Sequence, residues 1–145
     1  MKMLNVDITL YPKFAKYVKD TLPSVQGDRE FVSAMQLFGH LDSTALIRAI
    51  QWGMDPDIKI VNKLGAFGEF TPGIGSNEIR ISQKLVEDFE IDKDLVKTWY
   101  KGDQHLAIMT LLHELCHWGD DKIGNPSLLG EDGDLFEARV YGPSY

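Results

Sequence analysis

The stretch LLHELCHWGDD, which begins at Leu111, constrains this chain more than any other. Leu106, Ile108, Met109, Leu111, Leu112, Leu115, Cys116 and Trp118 make this region apolar nearly all round, the pattern of a helix covered on every side. His113, Glu114 and His117 fall in the middle of it. Burying a polar group without a partner costs roughly 2–7 kcal/mol, and a charged one more. The fold must therefore supply partners, and a metal ion is one that satisfies both imidazoles at once.

The spacing gives that ion a specific chemistry. Histidines at i and i+4 stand one above the other on a helix face, so His113 and His117 can both reach one Zn2+ at about 2.0–2.1 Å. Glu114 follows His113 by one position and cannot ligate beside them. Its carboxylate can reach a water in the fourth position and take its proton. A catalytic zinc wants a third protein ligand. His105 is eight residues before His113, roughly 12 Å along the helix and too far, so it reads as a surface or capping histidine. His40 reads as structural, in a turn. Asp120 and Asp121 suit a supporting role, orienting a ligand histidine. Glu131, Asp134 and Glu137 remain. Glu137, flanked by Phe136 and Ala138 on a final helix, is the preferred third ligand, with Glu131 next. Tyr141 is i+4 from Glu137 and is a candidate oxyanion donor.

Composition closes other routes. The net charge of −7 without a Lys/Arg block leaves no electrostatic footprint for nucleic acid or an anionic membrane. Cys116 is the only cysteine, so there is no internal disulfide and no cysteine-based zinc site. The N-terminal residues lack the apolar run of a signal peptide, and no stretch is long enough to span a membrane.

A chain of 145 residues is expected to form a single domain over residues 1–145. Helices are predicted from Tyr11 to Leu22 and stopped by Pro23, from an Asp28 cap to Phe38, and from Asp42 or Ser43 towards Gly53. A strand is expected at 57–61 and another at Glu78–Ile81, after a Gly-rich loop or hairpin. Ser82 caps a further helix, DKDLVKTWYKG reads as a short one, Asp103 caps the HExxH helix, and Gly119 ends it. A loop then leads to a last helix in DLFEARVYG. Helices before and after a small sheet, without βαβ alternation, make the fold α+β, with a small, mainly antiparallel sheet.

Beyond HExxH, the segments NEIRISQKLVEDFE, LLHELCHWGDD and GEDGDLFEARVYG resemble the zincin-like metallopeptidase domain of bacterial polymorphic toxins, the metallopeptidase toxin 3 family. The resemblance is strongest over 73–142. The separation of Glu137 from HExxH is similar to that in the thermolysin-type gluzincins, while the third histidine and Met-turn of other zincins are missing. The resemblance implies a zinc metallopeptidase acting on a protein or peptide substrate and countered by a cognate immunity protein. It also implies a domain made in the bacterial cytoplasm, exported within a larger effector and acting in a target cell. Zincins hold extended substrates against an edge strand, for which Glu78–Ile81 is the candidate. Two other functions share the motif: a zinc amidase acting on cell-wall peptides, and a zinc-binding domain without turnover.

Overall fold

The computed structural model describes residues 1–73, 77–122 and 132–143. Two helices begin at the caps that the sequence offers. The Asp28 carboxylate accepts from the Glu30 and Phe31 backbone N–H groups at the start of α3 (Arg29–Gly39), and Asp42 accepts from Ala45 N at the start of α4 (Ser43–Ala49). Before them lie α1 (Asn5–Leu10) and α2 (Pro12–Lys16), and then a π-helical turn over Tyr17–Thr21. Pro23 does not stop the chain there. It takes an early position of a 3-10 helix over Leu22–Gly27, where its missing N–H removes no bond.

The strands β1 (Lys2–Met3), β2 (Asp57–Val61), β3 (Gly68–Phe70) and β4 (Glu78–Ser82) form one sheet in the order β1-β2-β4-β3. β1 and β4 both run parallel to β2, and β3 is antiparallel to β4. The α+β class stands, but the sheet is mixed where the sequence suggested a mainly antiparallel one. Parallel pairing needs long crossovers, and the helical residues between β1 and β2 provide one. β4 is an inner strand, so Glu78–Ile81 is not the edge. Among the described residues the edges are β1 and β3, and β3, which pairs with β4 alone, is the one beside Glu78–Ile81.

Ser82 caps α5 (Gln83–Glu90) as expected. DKDLVKTWYKG, by contrast, is not a helix. β5 (Leu95–Thr98) and β6 (Gly102–His105) form an antiparallel hairpin, with Gly102 at φ +65°. Asp103 therefore lies in a strand, and α6 (Leu106–Lys122) starts later than predicted. The buried Asp94 carboxylate caps it from outside, accepting from Ala107 N at 3.0 Å and lying 2.7 Å from His105 Nδ1. Nor does Gly119 end α6. A Cβ there would come within 2.1 Å of the Gly39 carbonyl oxygen, so glycine lets α6 and α3 touch backbone to backbone. α6 lies across β3 and β4 and against α3 and α7 (Asp132–Tyr141), and its buried leucines join the core with Phe31, Ile79 and Phe136.

Candidate metal centre and active site

His113, Glu114 and His117 lie in the middle of α6, one face of which meets α7 while the neighbouring face meets β3. The two imidazoles approach through Nε2 at 3.3 Å. Two nitrogens bound at 2.0–2.1 Å to a tetrahedral ion stand about 3.3–3.4 Å apart, so the pair is spaced as zinc would require. Their proton affinities diverge. Burial alone would lower the His113 pKa, but the Glu137, Glu114 and Asp134 carboxylates together outweigh it and raise it. Burial and the charge of His113 lower the His117 pKa.

Glu137 Oε2 lies 3.0 Å from His113 Nδ1, delivered by α7. Asp134, one turn earlier on α7, has an oxygen 3.9 Å from the same nitrogen. Ligand atoms of His113, Asp134 and Glu137 all fall within 4.8 Å of one another, so α7 brings two carboxylates to His113. Gly133 makes this approach possible: its position lies against the His113 ring, 2.3 Å from Nε2 to where a Cβ would stand.

Glu114 is 7% exposed and burial pushes its carboxyl up to about 7. It lines a cavity of about 180 Å³ with Phe67, Gly68, Thr110, His113 and Glu137. Gly68 of β3 comes so close to α6 that a Cβ would meet the Thr110 methyl at 2.6 Å and Glu114 Cγ at 3.1 Å. The free edge of β3 thus borders the cavity that holds Glu114.

The other predicted residues have different places. Asp120 is 1% exposed, and its Oδ1 lies 2.5 Å from His40 Nδ1 rather than near either motif histidine. Burial, with Asp132 beside it, raises the Asp120 pKa to about 7. Asp121 accepts from Gly73 N. Because α6 continues through Gly119, both aspartates stay on the helix, and Glu137 is the carboxylate that meets His113. His105 holds the Asp94 cap and tilts against Phe89. Tyr141 is 5% exposed within the hydrophobic core and does not line the cavity; its carbonyl accepts from Tyr100 N. Glu131 lies outside the described residues. Sequence reasoning missed Phe67, Gly68, Thr110 and Gly133. Thr110 was within reach of it, being three and four residues before His113 and Glu114 on one helix face.

The described residues thus assemble a buried HExxH helix beside an edge strand, with carboxylates arriving from a second helix. The family model of metallopeptidase toxin 3 matches residues 7–142, and the chain belongs to that family. The match covers nearly the whole chain, so the helices before residue 73 are part of the family domain. No curated protein and no solved structure matches the chain. Among the described residues no helix is long and apolar enough to cross a membrane.

Proposed function

We propose that this metallopeptidase toxin domain is a zinc-dependent endopeptidase in which Glu114 handles the proton of the attacking water. The observation that carries this reading is the 3.3 Å His113–His117 nitrogen pair, with His113 and the buried Glu114 lining one cavity. The donor set fits zinc: two imidazoles at the separation a tetrahedral ion requires, with carboxylates and no thiolate at hand. His113 and His117 would hold the ion through their facing Nε2 atoms, and Glu137, whose Oε2 lies at His113 Nδ1, would complete the set by turning its carboxylate to the Nε2 side. When bound, it supplies the positive charge that acidifies water and polarises a carbonyl.

The chain's own residues do the rest. Glu114 accepts a proton from water at its carboxylate and returns it to the departing amine, the two-way transfer open to a buried acid whose pKa lies near neutrality. Gly68 and Phe67 set the cavity wall, and the side of β3 away from β4, unpaired among the described residues, offers hydrogen bonds to an extended peptide. Glu137 fixes the His113 ring through Nδ1. A cognate immunity protein would cover this cavity in the producing cell.

Zinc content and zinc affinity of Glu137→Ala test the ligand set. The reading expects affinity to fall together with peptide hydrolysis. Unchanged zinc affinity would remove Glu137 from the ligands and pass that role to Asp134.

A further inference from the structure

A second cleft, of about 430 Å³, opens beside α6 and shares none of the catalytic cavity's lining. Its walls include Ala45, Ala49 and Met54, with Trp118 of α6 behind them and Arg48 and Lys122 exposed around it. Its charges are unusual for a chain of net charge −7. Among the described residues neither Arg48 nor Lys122 has an ion-pair partner; the Lys122 ammonium lies 5.2 Å from the centre of the Trp118 ring. The one acid in the lining, Asp55, is already engaged, 3.1 Å from Lys2 Nζ and accepting from Asn77 Nδ2 at 3.0 Å. Asn77 in turn accepts from Trp118 Nε1 at 3.4 Å, which fixes the indole. The cleft therefore offers two cations without an ion-pair partner among the described residues, Lys122 acting on Asp55 only at longer range, around an aliphatic surface.

Its position ties it to the catalytic cavity. Trp118 stands four residues after Glu114 on α6, roughly 6 Å along the helix axis. We propose that this cleft is an exosite for an acidic segment of the peptide substrate, its carboxylates meeting Arg48 and Lys122 while an aliphatic side chain lies against Ala45, Ala49 and Met54. A nucleotide fits less well, because Lys122 lies over the indole ring and no glycine-rich loop among the lining residues offers amides to phosphates. The word substrate rests on the peptidase reading above; the binding itself does not.

The test is fluorescence anisotropy with a labelled, blocked peptide of alternating Glu and Leu, and its Gln/Leu counterpart, added to the full chain. The acidic peptide should bind at least tenfold more tightly than the neutral one, and less tightly as salt rises. Arg48→Glu combined with Lys122→Glu should abolish that preference. Both side chains are exposed, so an unchanged melting temperature will show that the variant is folded. Equal binding of the two peptides, an unaltered preference in the double variant, or displacement of the peptide by ATP at lower concentration than by unlabelled peptide would overturn the assignment. Because anisotropy needs no turnover, a protein that binds the acidic peptide but cleaves nothing would leave the exosite standing and refute the peptidase reading alone.

Discussion

Gly133→Ala separates the site from the fold. Gly133 is buried at the start of α7, where a Cβ would meet His113 Nε2 at 2.3 Å and the adjacent ring carbons at 2.6 Å. Ordinary contact begins near 3.4 Å, so the imidazole must retreat by about 1.1 Å. The obstacle is a side chain rather than backbone, and the ring can swing away. Alanine in place of a helical glycine is worth up to about 1 kcal/mol, so folding stability should change by no more than about that amount. The site has no such tolerance. His113 Nε2 faces His117 Nε2 at 3.3 Å, and a shift of this size breaks the shared geometry. Disturbing the support of a metal ligand typically weakens binding on the order of 10–100-fold, and zinc affinity should fall within that range. Chelator competition would measure the affinity and thermal unfolding of the metal-free protein the stability. A Gly133→Ala protein with wild-type zinc affinity and activity would refute the reasoning, as would one that fails to fold.

Gly119→Ala should behave in the opposite way. Its Cβ would strike the Gly39 carbonyl at 2.1 Å, which is backbone, and overpacking of about 1–3 kcal/mol or more outweighs the helix-propensity gain; a lowered denaturation midpoint checks this. Asp94→Ala leaves His105 and the Ala107 N–H without their acceptor and should destabilise by roughly 2–3 kcal/mol, read from urea unfolding. Cys116 is fully buried, and burial raises its thiol pKa well above the ordinary value. Little thiolate forms at pH 8, so a disulfide reagent should label the native protein slowly and the unfolded protein at once.

What the sequence made legible were the elements whose signals are local. Asp28, Asp42 and Ser82 cap the helices they were expected to cap, and the alternation of DIKIV and EIRIS marks β2 and β4. The misreadings share a cause. DKDLVKTWYKG carries Leu95, Val96 and Trp99 at helical spacing, yet its pairing with Gly102–His105 decides the outcome, and pairing between strands is not written in either strand alone. Gly119 has the composition of a helix stop, but the close approach of α3 uses it for contact instead. The spacing of His113 and His117 was readable because i and i+4 are fixed by the helix. Gly68, Phe67 and Gly133 were not, since β3 and α7 reach the cavity through tertiary packing alone. The same limit hid which strands are edges: among the described residues the order β1-β2-β4-β3 leaves β1 and β3 at the ends and encloses β4.

The central claim is that Glu114 moves the proton while the histidines hold the metal. Its most direct measurement is zinc content alongside cleavage of an unfolded protein substrate, for the wild type and for Glu114→Gln. The account predicts about one zinc per chain in both proteins and, since acid–base catalysis contributes typically 10²–10⁴-fold, hydrolysis reduced by about that factor in the variant. Near-normal hydrolysis by Glu114→Gln, or a wild type that neither holds nor takes up zinc, would contradict it.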